Sequence, residues 1–282
     1  MPTNPFNQSE IQAALGGRFG LDCEIGIGGQ GVVYKAERRR TPNGQLTQDD
    51  VALKVHSDPG QDERIERELR VMEGMRHPNL ANLLEHGVLT LANCAYRYAA
   101  WEFIRGEALD RRITQGPIPQ RVVCAIGRDV ARAIDHLWTN ERIVHRDVNP
   151  KNIMVRIGDR EAVLIDLGIA KHLTQTPITA PMITWGTAGY FSPEQARAEQ
   201  NLTAASDVFS LAITLQEALL GRHPTGRNQN ALLGGGPATS GLMPTAAAAL
   251  ASLIDSMYAV RAAFRPTARN VAEEFAQLAL IL

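Results

Sequence analysis

Three polar side chains in the middle of the chain could together hold a metal ion and accept a proton. Residues 145–152 read His-Arg-Asp-Val-Asn-Pro-Lys-Asn, and Asp166 follows within an Asp-Leu-Gly triplet. Asp147 is a group that can accept a proton from a hydroxyl. The amide oxygen of Asn152 and the carboxylate of Asp166 are hard ligands suited to Mg²⁺, which bridges phosphate oxygens and offsets their charge. The pattern therefore indicates metal-assisted chemistry on a phosphate.

A glycine-rich segment lies near the start of the chain, where residues 26–33 read Gly-Ile-Gly-Gly-Gln-Gly-Val-Val. Without side chains, the backbone N–H groups of such a segment can approach phosphate oxygens closely. The pattern alone is weak, because ordinary loops and dinucleotide-binding turns share it. A dinucleotide-binding turn requires a helix next, whereas residues 32–34 are typical of a strand. The sequence thus favours a glycine loop between two antiparallel strands.

Lys54 ends a short apolar run, and Glu68 falls in the following segment of helical periodicity. A buried lysine is costly unless a negative group pairs with it. A Lys54–Glu68 pair would hold the ammonium against phosphate oxygens, whereas the alternative is a lysine at a strand end whose ammonium reaches water. Lysines are rare among the 29 basic residues, and all of them fall inside segments that carry a motif: Lys35, Lys54, Lys151 and Lys171.

The composition argues against several other classes of protein. The chain has 282 residues, of which 44% are hydrophobic and 21% charged, and its net charge is −1. These values are ordinary for a folded globular domain and do not suit a coat for nucleic acid or for an anionic membrane. Widely spaced cysteines predict a reducing compartment, and a polar start without a long apolar run predicts a cytoplasmic chain with no membrane segment.

The elements that must position these groups follow from periodicity. Ser9 and Gln12 have the spacing of a capping box, which predicts a short helix ending at Leu15. Strands are expected on either side of the glycine segment, followed by a polar hairpin loop over 41–50 and a short strand over 51–55. An amphipathic helix is then predicted over 62–76, and a boundary between two lobes within 102–106.

The remainder of the chain is predicted to be mostly helical. Residues 207–220 indicate an amphipathic helix that ends at Gly221. Short strand pieces are expected over 144–155 and 163–167, around the polar residues described above. Further helices are predicted over 121–138, 246–260 and 267–280.

A fifth pattern completes the series of motifs. Residues 186–194 read Gly-Thr-Ala-Gly-Tyr-Phe-Ser-Pro-Glu, with Asp207 and Arg265 further along the chain. Each pattern has an ordinary structural interpretation by itself. The five together, in this order and spacing, resemble the protein kinase family, of the serine/threonine type common in bacteria. The resemblance extends from about Phe19 to about Leu278.

This resemblance implies an α+β fold of two lobes in one catalytic domain. Residues 1–18 would be an N-terminal leader, 19–104 a small antiparallel β lobe of five strands with one main helix, and 105–282 a larger, mostly helical lobe. ATP would lie between the lobes. Trp101 would be a bulky gatekeeper at the back of the pocket. The implied nucleotide-binding residues are Ile25, Gly26, Gly28, Gly29, Gly31, Val33, Ala52, Lys54, Trp101, Glu102, Ile104 and Met154.

The resemblance also implies roles at the reaction centre. Lys54 would hold the α- and β-phosphates of ATP and would itself be locked by Glu68. Asp147 would be the catalytic base that orients the acceptor hydroxyl. Asn152 and Asp166 would hold Mg²⁺, with Mn²⁺ as an alternative cation.

Further residues would support this centre. Glu194 and Arg265 would form a buried ion pair, and Asp207 would anchor the backbone of the loop that contains Asp147. Thr187 would place a structural hydroxyl beside that aspartate.

Arg146 would read a phosphate group on the segment that follows Asp166, because an Arg–phosphate pair can order a loop. The candidate acceptors for autophosphorylation, with Thr179 favoured, are Thr174, Thr176, Thr179 and Thr184.

One position departs from the family pattern. Serine/threonine kinases usually carry a lysine two residues after the catalytic aspartate, and this chain has Asn149 there. A neutral amide cannot supply the positive charge, although Lys151 lies two residues further along. Loss of one electrostatic contact in the transition state costs on the order of 10²–10³ in rate.

Three functions are compatible with these motifs. The leading prediction is an active kinase that acts on protein Ser and Thr residues, with self-association as an activation route and no nucleic-acid partner. The second is an ATP-binding pseudokinase that serves as a scaffold, which Asn149 keeps open. The third is a small-molecule phosphotransferase, which the 186–194 segment argues against.

Overall fold

The computed structural model describes residues 6–28, 31–41, 43–57, 63–158, 160–166 and 189–282, without the side chains of residues 63–65, 67 and 68. The chain divides into two compact units. The first comprises the residues up to Arg76 together with Ala81–Phe103, and the second comprises His77–Leu80 together with Ile104–Leu282. An antiparallel β unit followed by a mostly helical unit confirms the predicted α+β fold class.

A five-stranded antiparallel sheet forms the first unit, in the spatial order β1-β2-β3-β5-β4. Its strands are β1 (Phe19–Gly28), β2 (Gly31–Arg40), β3 (Leu46–His56), β4 (Leu83–Leu91) and β5 (Cys94–Glu102). Helices α1 (Gln8–Ala14) and α2 (Glu63–Glu73) belong to the same unit.

The core of the first unit follows from the two-residue alternation of its strands. Val32 and Tyr34 of β2 and Leu53 and Val55 of β3 are fully buried in one cluster. Side chains at every second position share a face of a sheet, so these residues define its core face. Ile11 of α1 is buried in the same cluster. The N-terminal helix is thus packed on the sheet.

The predicted capping box at the start of α1 is wrong. The N-cap is Asn7, whose side-chain oxygen accepts a hydrogen bond from the Ser9 N–H at 2.9 Å. Gln12 instead donates to the Phe19 carbonyl and accepts from the Leu21 N–H, both at 2.7 Å. The Gln12 side chain is therefore used to join the helix to β1 rather than to close its first turn.

The polar loop predicted over 41–50 is also too long, because β3 begins at Leu46. Its polar first half pairs with β2, where Arg38 lies opposite Asp49. The Arg38 guanidinium contacts the Asp49 carboxylate at 2.6 Å, and Thr47 donates to the same carboxylate at 2.6 Å. Cross-strand charge pairs stabilise strands whose faces are exposed to water, and such strands lack the apolar signal used to predict them.

The second unit combines seven helices with a small three-stranded sheet in the described residues. The helices are α3 (Leu109–Thr114), α4 (Gln120–Glu141), α5 (Pro193–Ala196), α6 (Ala204–Leu220), α7 (Thr239–Leu242), α8 (Ala248–Met257) and α9 (Ala268–Ile281). The strands are β6 (Gly106–Ala108), β7 (Ile153–Arg156) and β8 (Ala162–Leu164), so the strand pieces predicted over 144–155 and 163–167 are shorter than expected. Within the described ranges, we find no helix of the length and apolar character needed to cross a bilayer.

Helix α6 is the centre of the second unit and is buried on nearly every side. The prediction that this helix is amphipathic is wrong, because the helix has no exposed polar face. Its polar residues are satisfied internally: Ser210 donates to the Tyr190 carbonyl at 2.7 Å, and Thr214 donates to the Ser210 carbonyl at 2.8 Å. The helix ends, as predicted, at Gly221 in the left-handed conformation.

Among the described glycines of the first hairpin, Gly31 is the one that the fold constrains most. A Cβ there would overlap the carbonyl oxygen of Val55, and its φ of +144° is unfavourable for other residues. We expect Gly31→Ala to lower the free energy of unfolding by about 2–4 kcal/mol. Gly28→Ala is the matched control, because a Cβ at Gly28 would meet nothing within 4 Å. Urea unfolding measures both, and equal losses would contradict the constraint from β3.

Candidate active site

One face of the first sheet carries four of the residues predicted to bind a nucleotide. Val33 lies opposite Lys54, and Ala52 lies opposite Trp101. Cross-strand partners share a face, and alternation places all four on the face opposite the Val32–Leu53 core. Lys54 is only 9% exposed. A lysine as buried as this is favourable only beside negative charge, which suits a group that binds phosphate.

The glycine segment forms the hairpin between β1 and β2. Gly26 pairs with Val33 and Gly28 pairs with Gly31, so the segment joins two antiparallel strands as predicted. Ile25 lies at a register shift of β1 and is exposed. The strand after the glycines excludes the helix that a dinucleotide-binding turn requires.

The backbone around Glu102 limits how it could contact adenine. Its N–H donates to the Asn82 carbonyl at 2.8 Å, and its carboxylate accepts from the Asn82 amide at 2.6 Å. Any backbone contact from Glu102 to adenine would therefore use its carbonyl oxygen. Ile104 and Met154 belong to the second unit, where Met154 is half-buried on β7.

In the second unit, the 145–152 loop brings Asp147 and Asn152 together. The Asn152 Nδ2 donates to the Asp147 carbonyl and to its Oδ2, both at 2.8 Å. Both partners are acceptors, so the amide nitrogen faces Asp147 and the Asn152 amide oxygen is turned elsewhere. The Ile165 N–H donates to the Asn152 carbonyl at 2.8 Å, which brings Asp166 next to the same loop.

His145 joins the two segments that carry these carboxylates. Its Nδ1 accepts from the Asp147 N–H at 3.3 Å, and its Nε2 lies 3.1 Å from the Ile165 carbonyl. An accepting Nδ1 places the ring proton on Nε2, which then donates to Ile165. Asp166 has a left-handed φ of 53°. Such backbone conformations persist at functional sites where the surroundings hold them.

Asp207 on α6 holds the start of the same loop. Its two carboxylate oxygens accept from the backbone N–H groups of His145 at 2.7 Å and of Arg146 at 2.8 Å. Burial raises the pKa of the Asp207 carboxyl to about 7, against the effect of these two hydrogen bonds and of the Arg146 charge. A carboxylate in this place therefore stabilises one loop conformation at the cost of desolvation.

Glu194 and Arg265 form a buried two-pronged ion pair. Arg265 Nη1 and Nη2 contact the two Glu194 oxygens at 2.6 and 2.9 Å, and the Ser206 hydroxyl donates to Glu194 at 2.7 Å. The Arg265 side chain is fully buried and its remaining N–H groups donate to backbone carbonyls. These hydrogen bonds lower the pKa of the Glu194 carboxyl against the opposing effect of burial.

A model of the protein kinase domain matches residues 19–275 of the chain. The chain belongs to the protein kinase family. Among the bacterial relatives, serine/threonine-protein kinase PknB of Mycobacterium leprae is 33% identical over 217 residues, which are 74% of this chain and 33% of that protein. Serine/threonine-protein kinase PrkC of Bacillus subtilis is 33% identical over 221 residues, which are 76% of this chain and 32% of that protein.

The chain thus matches about a third of the length of these two relatives. Among solved structures, the PknI kinase domain of Mycobacterium tuberculosis has a TM-score of 0.70 and 24% identity, and the alignment covers 93% of this chain and 96% of that domain. This likeness shows the shared fold, which is the kinase fold that the resemblance implied.

Protein kinases use ATP and a divalent metal ion, and the residues present fit such an ion. Asn152 has its amide nitrogen engaged with Asp147, which leaves oxygen as the group it can offer to a cation. Mg²⁺ commonly takes one or two carboxylates together with substrate phosphates. The described residues contain no group of three or more His, Cys, Asp or Glu arranged for a metal. Asn152 and Asp166 with phosphate oxygens would suffice without one.

Several predicted residues lie outside the residues whose structure is described. The Glu68 backbone lies on α2, but its side chain is among those not described, so its pairing with Lys54 stays a prediction. The others in this group are Gly29, Thr174, Thr176, Thr179, Thr184 and Thr187.

Asn149 has a structural use that sequence reasoning missed. It is 1% exposed and is the N-cap of the short 3₁₀ turn Pro150–Asn152. Its Oδ1 accepts from the Lys151 N–H and its Nδ2 donates to the Asp147 carbonyl, both at 3.0 Å. The amide therefore braces the loop, and the Lys151 side chain is exposed.

The loop after α6 also contributes contacts that sequence reasoning missed. Gln229 accepts from the N–H groups of Gly189 and Phe191 at 3.1 and 3.2 Å and donates to the Phe191 carbonyl at 2.8 Å. His223 Nε2 lies 3.0 Å from the Gly189 carbonyl. Nothing in the polar, glycine-rich sequence of this loop signals which distant backbone groups it binds.

We expect Arg265→Met to lower the free energy of unfolding by about 3–5 kcal/mol, because it leaves the Glu194 carboxylate buried without its partner. Arg269→Met is the matched control. Arg269 contacts Asp135 at 3.4 Å with a side chain that is 63% exposed, so its loss should cost less than about 1 kcal/mol. Urea unfolding measures both, and similar losses would contradict a special role for the buried pair.

We expect Asn149→Ala to lower the free energy of unfolding by about 1–2 kcal/mol, because the variant loses a cap and leaves the Asp147 carbonyl with one donor fewer. Asn149→Ser should retain most of the stability, since a serine oxygen can cap the turn. Asn149→Lys, which introduces the usual family residue, should behave like the alanine variant. A lysine variant as stable as the wild type in urea unfolding would argue against the bracing role.

Proposed function

We propose that this chain is an ATP-dependent protein kinase that transfers the γ-phosphoryl group of ATP to Ser and Thr hydroxyls of proteins. The observation that carries the proposal is the bracing of Asp147, whose carboxylate and carbonyl accept from Asn152. The serine/threonine kinases named among its relatives support the choice of acceptor.

In this reaction, each polar side chain of the site has a distinct role. The acceptor oxygen forms a bond to the γ-phosphorus while the bond from that phosphorus to the β–γ bridging oxygen breaks. Asp147 orients the acceptor hydroxyl and takes its proton, and Lys54 binds the phosphates of ATP, whose leaving group is ADP. Mg²⁺ held by Asn152 and Asp166, or Mn²⁺ in its place, would offset the charge on the phosphate oxygens.

The remaining members of the site support this reaction indirectly. Asp207 fixes the backbone of His145 and Arg146, and the Glu194–Arg265 pair fixes α5. Autophosphorylation on Thr179 or its neighbouring threonines, and association with a second copy of the chain, remain part of the proposal. They are consistent with Arg146 as a partner for a phosphate group.

The test is transfer of labelled γ-phosphate to a basic acceptor protein in the presence of Mg²⁺. We expect Asp147→Asn to lower the rate by about 10²–10⁴-fold, because the variant lacks the group that accepts the proton. Asp135→Asn, on the face of α4 that contacts Arg269, is the matched control and should keep the wild-type rate. Replacing Mg²⁺ by Mn²⁺ or Ca²⁺ in the same assay tests the choice of cation.

Two results would overturn the proposal. Transfer at the wild-type rate by Asp147→Asn would remove the assigned base. Binding of ATP by the wild type without any transfer would instead indicate a nucleotide-binding scaffold. Label recovered on the threonines of the 167–188 segment would support the regulatory part of the proposal.

A further inference from the structure

Gln195, the third residue of α5, makes two kinds of contact with one side chain. Its Oε1 accepts from the N–H and the hydroxyl of Ser192, both at 3.2 Å, and closes a capping box at the start of the helix. Its Nε2 donates to the Arg146 carbonyl at 3.1 Å. The first contact is local to α5, and the second reaches the loop that contains Asp147.

The second contact acts on the peptide group that joins Arg146 to Asp147. The carbonyl of that peptide group is bonded to Gln195, and its N–H is bonded to His145 Nδ1 at 3.3 Å. A peptide group is planar, so contacts at both ends fix the orientation of the plane. The direction in which the Asp147 side chain leaves the backbone depends on that orientation.

Arg146 itself needs such support. It has a left-handed φ of 66°, which is unfavourable for a long side chain. Its N–H is held by Asp207 at 2.8 Å and its carbonyl by Gln195. A strained residue of this kind keeps its conformation only where neighbouring groups determine it. Asp207 supplies one of these groups, and Gln195 supplies another.

The helix that carries Gln195 is held firmly enough to act as a support. Glu194, the preceding residue, is in the buried pair with Arg265 and accepts from Ser206. Residues 189–191, just before the helix, are bound by Gln229 and His223 and by the Ser210 hydroxyl. The Gln195 amide is therefore presented to Arg146 from a fixed position.

We propose that Gln195 is a positioning residue for Asp147, which orients the Arg146–Asp147 peptide group through its Nε2 donor. The inference rests on the proposed function, because it assigns the purpose of the contact to phosphoryl transfer. A misplacement of about 1 Å at a reacting group can lower a rate about 10²-fold. Loss of this donor should therefore lower kcat while the affinity for ATP is kept.

The two contacts of Gln195 can be separated by a change at one atom. Gln195→Glu keeps the oxygen that accepts from Ser192, since Glu serves equally well in a capping box. It replaces the Nε2 donor by an oxygen that repels the Arg146 carbonyl. We expect kcat to fall at least about tenfold, with the KM for ATP unchanged and a shift in the urea midpoint of unfolding no larger than that in the matched Gln120→Glu variant. A purely structural residue would not show this split.

Gln120→Glu is the matched control. Gln120 bridges two backbone groups in the same unit, since its Nε2 donates to the Thr245 carbonyl at 3.1 Å and its Oε1 accepts from the Ala247 N–H at 2.9 Å. The same chemical change there should leave kcat at the wild-type value. Equal kcat for Gln195→Glu and the wild type, or an equal fall in Gln120→Glu, would overturn the proposal.

Backbone hydrogen exchange separates this inference from the proposed function. We expect the amides of 145–147 to exchange faster in Gln195→Glu than in Gln120→Glu, with or without activity. If the wild type transfers no phosphate but this difference is present, the proposed function fails and the contact of Gln195 with the loop stands. If the wild type transfers phosphate and neither exchange nor kcat changes, only the inference fails.

Discussion

The carboxylate of Asp207 is the group on which the second unit's active loop depends. It lies on a helix buried on nearly all sides and accepts hydrogen bonds from the backbone N–H groups of His145 and Arg146. Burial raises the pKa of this carboxyl to about 7, so ionisation of the group is unfavourable at this position. Two directed N–H donors offset part of that cost and select a single backbone path. The loop conformation is thus set by a buried carboxyl group that contacts backbone N–H groups of the loop.

From this anchor the remaining contacts follow in sequence. The N–H of Arg146 is held with the residue in a left-handed conformation, and the His145 ring lies between the Asp147 N–H and the Ile165 carbonyl. Asn149 and Asn152 both donate to the Asp147 carbonyl. Each contact is an ordinary hydrogen bond of modest net energy. Together they leave the loop one arrangement in which each of these buried polar groups has a partner.

The first unit places its candidate nucleotide-binding residues by a different physical rule. Alternation along β2, β3 and β5 sorts apolar side chains to one face and places Val33, Ala52, Lys54 and Trp101 on the other. The division of side chains between the two faces was predictable, because Val, Leu and Tyr at every second position indicate which face is buried. The polar start of β3 was not predictable, because its support comes from the Arg38–Asp49 pair across the sheet.

The order of the motifs, the family and the chemical type of each candidate site residue could be established from the sequence, because these depend on residue identity and spacing. The way in which these residues are held depends on the folded structure. The sequence indicated only that Asn149 lacks the positive charge of a lysine, whereas its side chain caps a 3₁₀ turn. The sequence predicted that Gln12 closes a capping box, whereas its side chain joins α1 to β1. Polar side chains can bond any backbone group that folding brings within about 3 Å. Their partners are therefore set by packing of distant segments, which no local pattern records.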